Sequence, residues 1–346
     1  MPKKSQISAA SFPTASLPPG WTGKRLLYVA LGTVLSVCVL CVTGIAVIVP
    51  PRRYPQQLLA FGAKGTGPGQ FKVASYLALD GHGNIYVADW NDGHINIFGP
   101  DGKFLRLLDL GSGTIILGLA VAPDGTLYVS HDGTIERRDP DGKKSTLSYA
   151  DARGDRLADV SGIALGPDGG LAAADNLGDV LAFAPDGSAH PVLARAFDLP
   201  SFSSRNELEP GGPPSLSYDV PANSADTNVS VALDRARNIY AVGWNNWLGL
   251  KTDAAGHSLS KFGAPAHIPG GWERGHLYFP DSLAIDSHGR IYVGDSNGVQ
   301  VFGTDEQFLF SVPLSGGVDA LALDAQDNLF VVTYPPQVLK LAAQQP

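Results

Sequence analysis

Cysteine is almost missing from this chain: there are two, Cys38 and Cys41, and both sit in one apolar run near the start. Everything beyond that run therefore has no disulfide framework and no thiolate metal centre. Acidic residues are absent from the first fifty positions, where Lys3, Lys4, Lys24 and Arg25 are the only charges. All 33 acidic residues and 21 of the 25 basic ones lie beyond, which leaves that part with a net charge of −12. So acidic a domain lacks the basic footprint that a nucleic-acid partner requires, and it is repelled by an anionic membrane surface. No G-x-S-x-G or H-E-x-x-H hydrolase signature occurs. "GTGPG" (65–69) lacks the Lys and Ser/Thr of a phosphate loop, and "DWNDGH" (89–94) has its glycine one place early for a calcium loop.

One stretch lacks both charge and proline, and there the absence is informative. Leu26 to Val49 runs for 24 residues, "LLYVALGTVLSVCVLCVTGIAVIV". A helix of that length reaches about 36 Å, enough to span a hydrocarbon core of about 30 Å. The alternative is a cleaved signal peptide with Gly44 and Ala46 before the cut. Signal h-regions run about 7–15 residues, so the length favours an uncleaved anchor. The Lys and Arg residues of positions 1–25 place that tail in the cytoplasm and the rest outside. The expectation is a disordered cytoplasmic tail (1–25), a transmembrane signal-anchor helix (26–49), a linker (50–55) and an extracytoplasmic domain (56–346) of a single-pass cell-membrane protein.

That domain repeats itself. An apolar triplet, a polar turn and a second apolar run recur six times: "LALDGHGNIYVAD" (77–89), "LAVAPDGTLYVSH" (119–131), "IALGPDGGLAAAD" (163–175), "VALDRARNIYAVG" (231–243), "LAIDSHGRIYVGD" (283–295) and "LALDAQDNLFVVT" (321–333). The runs are Val-, Ile-, Leu- and Tyr-rich and too short for helices. The turns carry Asp-Gly or His-Gly, suited to positive φ. A third strand, "HINIF" (94–98), and a fourth, "KFLRLL" (103–108), complete the first unit. Four strands in about 40 residues make one propeller blade, so the fold class is all-β, a six-bladed β-propeller. The sixth unit ends at "QVLKLAA" without a fourth strand, and one surplus strand, "QQLLAFG" (56–62), precedes the first unit. The surplus strand is expected to complete blade six and close the ring. In support, "LLAFGAKG" (58–65) resembles "LSKFGAPA" (259–266), and each is followed by a Phe, Phe71 and Phe279, and then a first strand.

The stretch "GTGPGQFKVASYLALDGHGNIYVADWNDGHINIFGPDGKFLRLL" (65–108) resembles the NHL repeat family of six-bladed propellers, and the likeness extends over about residues 56 to 346. The family hosts binding modules and enzymes alike, so the resemblance implies architecture more than activity.

In a propeller the first strand of each blade lines the central channel. Both long departures from the repeat, 195–228 and 263–280, precede a first strand, which puts them on one face with the loops between second and third strands. That face is expected to bind. Trp90, Trp244 and Trp247, with Trp272 as a further candidate, can stack on a sugar ring or an extended peptide, and Asn91, Asn245 and Asn246 can hydrogen-bond it. The other reading packs each Trp over its own loop. Asp89, Asp175 and Asp295 read as turn-builders. At the channel mouth the equivalent positions are Ser75, Leu117, Ser161, Val229, Asp281 and Asp319. Asp281 and Asp319 fall in adjacent blades, where two carboxylates can hold a divalent cation or share a proton, or simply hydrate the mouth.

The expected function is a membrane-anchored propeller that binds or scaffolds a protein or glycan ligand, with no metal or other cofactor assigned. The alternative is a metal-dependent hydrolase or lyase. Gluconolactonase-like propellers place Glu, Asn and Asp around the channel, and peptidyl-hydroxyglycine lyases place several His there; no Glu, Asn or His falls at a matching position here. A purely structural envelope component is the third reading.

Overall fold

The opening aspartate of the repeat explains why the same phrase is written so often. Asp80 Oδ1 accepts the backbone N–H groups of His82 and Asn84, both at 2.9 Å, while Oδ2 accepts the Asn84 amide at 2.7 Å and the Tyr86 hydroxyl at 3.3 Å. Asp234 binds Ala236, Asn238 and Tyr240 in the same way. Asp286 does so with His288, Arg290 and Tyr292. One carboxylate thus satisfies a tight turn and ties it to the strand that follows. The fourth turn residue sits at positive φ in every unit: Gly83, Gly125, Gly169, Arg237, Gly289 and Asp327.

The structure is a computed structural model that describes residues 55–147, 160–175, 179–184, 188–193, 229–244, 247–265 and 274–344. The expected tail, membrane span and all of the linker but Pro55 lie outside the described residues, as do the whole of 195–228 and the middle of 263–280. Among the described residues, no helix is long and apolar enough to cross a membrane.

Six four-stranded antiparallel sheets form the domain. The innermost strands are Ala74–Leu79, Ile116–Val121, Val160–Leu165, Val229–Leu233, Ser282–Ile285 and Val318–Leu323. Each packs beside the next and the sixth packs beside the first, so the ring is closed. The surplus strand does what the sequence predicts. Gln57–Phe61 pairs antiparallel with Gln337–Leu341, placing Gln57 opposite Leu341 and Phe61 opposite Val338. The core lies between blades. Leu77, Ile85, Val87 and Phe98 of blade one, for example, pack against Ala320, Phe330, Val332 and Val338 of blade six.

One predicted correspondence is corrected. Ala63–Lys64 forms a short parallel pair with Gln70–Phe71, and Ala264–Pro265 forms one with His276–Leu277. Leu277, not Phe279, therefore stands in the place of Phe71, and both are fully buried. Phe279 is instead held at φ 51° on the rim.

Candidate functional site

Four innermost strands begin with a β-bulge. The pairing skips Ser75, Leu117, Ser161 and Asp319. Asp281 precedes its strand in a similar place, and its N–H bonds the Gly294 carbonyl, which also faces Ser282. A bulge re-aims a side chain out of the regular alternation. These residues, together with Val229, line one cavity of about 640 Å³ down the channel. Val229 differs from the rest, because it pairs regularly with Gly243 and is fully buried.

The mouth is polarised. On blades two to four it presents Leu117, Ser161 and Val229, and the Ser161 hydroxyl is engaged by the Val229 backbone, accepting its N–H at 3.0 Å. On blades five, six and one it presents Asp281, Asp319, Ser75, Tyr76 and Trp90. Farther in, Leu79, Val121, Leu165, Leu233, Ile285 and Leu323 form an apolar ring. A polar ligand is thus confined to the end carrying the two carboxylates.

Tyr76 was missed by the sequence reading, although a signal for it exists. The residue just after the channel-mouth position is Gly118, Gly162, Ser230, Ser282 and Ala320 in the other five blades. At Gly162 no side chain fits, since a Cβ there would meet the Val229 carbonyl oxygen at 2.3 Å. Blade one alone carries a large side chain at this position. Burial, and then the negative charge of Asp281, raise the Tyr76 phenol above its ordinary pKa, so it stays protonated and can donate. Burial also pushes the Asp319 carboxyl up to about 6.

The turn-builder reading of the strand-ending aspartates holds for Asp175 and Asp295, which accept N–H groups of their own turns, whereas Asp89 ties down the segment ahead of its first strand. Asp89 is 2% exposed and accepts the N–H groups of Lys72 and Val73 at 2.7 and 2.6 Å. Asp295 is fully buried and accepts those of Tyr278 and Asn297. Each fastens the segment that leads into its first strand. Asp175 instead closes its own turn, accepting the N–H of Asp179.

The rim residues split into two groups. Trp90 reaches the channel mouth, with the exposed Asn91 beside it. Trp244 packs on Phe279 at 5.2 Å, and Trp247 packs on Tyr278 and Phe279 at 5.2 and 5.3 Å. These two indoles therefore cover the approach to blade five rather than their own loop. Asn245, Asn246 and Trp272 lie outside the described residues.

Among the described residues, the donor set for a divalent cation is incomplete here. Such an ion takes six or more oxygen ligands as calcium, or four donors as zinc. Among the described residues, the one group of three or more acidic, His or Cys side chains close enough to share an ion is Asp286, His288 and Asp327, on the opposite face. Its carboxylates are already occupied by Arg290, by backbone N–H groups and by Ser287. Among the described residues, the two carboxylates and the phenol at the mouth do not by themselves make the metal site of a metal-dependent propeller.

No protein-family model matches the chain, and neither does any curated protein. Solved structures do. A gluconolactonase from Xanthomonas campestris aligns with a TM-score of 0.54 at 19% identity, covering 83% of this chain and 88% of that one. Virginiamycin B lyase from Staphylococcus aureus aligns at 0.53 and 12% identity, covering 83% and 89%. A putative gluconolactonase aligns at 0.56 and 14%, covering 86% and 96%. What is shared is the six-bladed propeller. At these identities the likeness carries the fold and no residue of a site.

Proposed function

We propose that the protein is a propeller enzyme of the hydrolase or lyase kind, acting on a small molecule at the channel mouth. The carrying observation is the trio Asp281, Asp319 and Tyr76, brought by three successive blades to one cavity. A carboxyl that titrates near 6 takes up and returns a proton close to neutrality, which is what acid–base catalysis requires. In this reading Asp319 removes a proton, either from an attacking water or from the carbon beside a leaving group. The Tyr76 hydroxyl donates to the oxygen that gains negative charge. The chemistry is assigned to the carboxylates and not to a bound metal, because the donor set does not suit one. The neighbours named as gluconolactonases and a lyase favour an enzyme over a scaffold, as relatives in fold. The propeller is NHL-like in its repeats and is held outside the cell membrane by the apolar run 26–49; the flanking Lys and Arg residues support that orientation.

Consumption of glucono-lactone and of virginiamycin B, the compounds in the neighbours' names, tests the reading. The expected result is acceleration of one of them over the spontaneous rate, rising through pH 6 and lost about a hundredfold or more in Asp319→Asn. Acceleration of neither, or a rate indifferent to Asp319→Asn, contradicts it. The rim gives the second reading: the exposed indoles of Trp90 and Trp244, at 42% and 40%, favour binding of a protein or glycan on that face.

A further inference from the structure

Among the described residues, those lining the channel cavity include two acids and no Lys, Arg or His. A cleft of one charge sign with low-dielectric walls concentrates its field, and the aliphatic ring beneath the mouth supplies such walls. Two aromatic rings stand in the same cavity, Tyr76 in the wall and Trp90 at the lip. Carboxylates and aromatic faces together are the chemistry that holds an ammonium group, by charge and by cation–π attraction. The donors point the same way: among the described residues a divalent ion would find two carboxylates where it needs more ligands.

We infer that the ligand of the channel mouth is an organic cation, an amine or quaternary ammonium whose charged group lies between Asp281 and Asp319 and against Trp90 and Tyr76. This deepens the reading of the mouth as the substrate site and rests on it. The consequence for selectivity is direct: sugar acids and phosphorylated compounds are excluded by like charge, and neutral isosteres bind less well.

Choline and 3,3-dimethylbutan-1-ol have nearly the same shape and differ in charge, so the pair isolates that term. Calorimetric titration of the full chain in detergent at pH 7.5 should give choline at least tenfold tighter than the neutral alcohol. Asp281→Asn, Asp319→Asn and Trp90→Ala should each weaken choline fivefold or more while leaving the alcohol within twofold, and calcium chloride at equal concentration should not displace choline. Equal affinity for the two compounds, or displacement by calcium, overturns the inference. Circular dichroism melts of the variants separate lost binding from lost folding, since the isosteric Asp→Asn changes are expected to melt no lower than wild type. The outcome is distinct from that of the turnover experiment. A preference for choline with neither glucono-lactone nor virginiamycin B accelerated leaves the cation site standing and removes the enzyme; acceleration of either compound with no preference for choline does the reverse.

Discussion

Asp319 sits where burial works against its charge. Its folded carboxyl titrates near 6, against 3.8 for the ordinary group, and burial is the cause. Below about pH 4 the carboxyl is protonated in folded and unfolded chains alike, so nothing is lost. As the pH rises from about 4 to 6 the unfolded chain gives up this proton first and stability falls, levelling off above 6 once the folded state too must hold the charge it disfavours. Asp319→Asn removes that cost. Allowing for partial solvent access at the mouth, we expect the variant to be more stable by about 1–2 kcal/mol at pH 7.5, with the gain vanishing near pH 4 in urea melts. A stability gain that comes with lost activity is the mark of a functional residue. Asp295 is also pushed up to about 6 by burial, yet its removal should act oppositely. Its carboxylate accepts the Tyr278 and Asn297 N–H groups. Asp295→Ala strands those donors and should cost about 2–3 kcal/mol at pH 7.5 by the same melts.

At the scale of the element, the unit of construction is the inner hairpin, and its turn was legible in the sequence because its chemistry is local. The turn reads Asp-x-x-Gly-Asn at 80–84 and Asp-x-x-Gly-Arg at 286–290, with Arg237 and Asp327 in the place of the glycine at 234–238 and 324–328. A methyl group on Gly83 would meet Pro100 no closer than 3.5 Å, an ordinary contact, so the positive φ of 79° is the whole penalty. Gly83→Ala should therefore cost about 1 kcal/mol in a urea melt, with no loss of fold. The outermost strands hold the opposite kind of device. In blades six, one, four and five the pairing skips Leu58, Leu105, Leu259 and Leu309, all exposed. These bulges twist the free edges of the sheets and so discourage edge-to-edge pairing between molecules. All four skipped residues are leucines, but a bulge depends on the register of two strands and not on one, so the residue type alone does not announce it.

For the molecule as a whole, blade number, closure and the channel-lining positions were readable because periodicity reports all three. Asp281 and Asp319 were found by aligning repeats. Tyr76 escaped because the alignment was searched for acids and not for the one blade that breaks a run of small residues. Phe279 was misplaced because a Phe two positions from the true equivalent, Leu277, looked like a better partner for Phe71. Closure is testable directly. Removal of residues 55–62 from the chain exposes the Gln337–Leu341 edge, and light scattering should then show association where the intact protein does not associate through that edge.

The channel mouth, with its buried proton-holding carboxyl, is the centre of the account, and one measurement reaches it without knowledge of the substrate. Carbon-13 NMR titration of the aspartate carboxyls, with the Asp319 resonance assigned by its disappearance in Asp319→Asn, should give a pKa near 6 that falls when choline is added. A value near 4 that choline leaves unmoved would contradict both the acid–base role and the cation site.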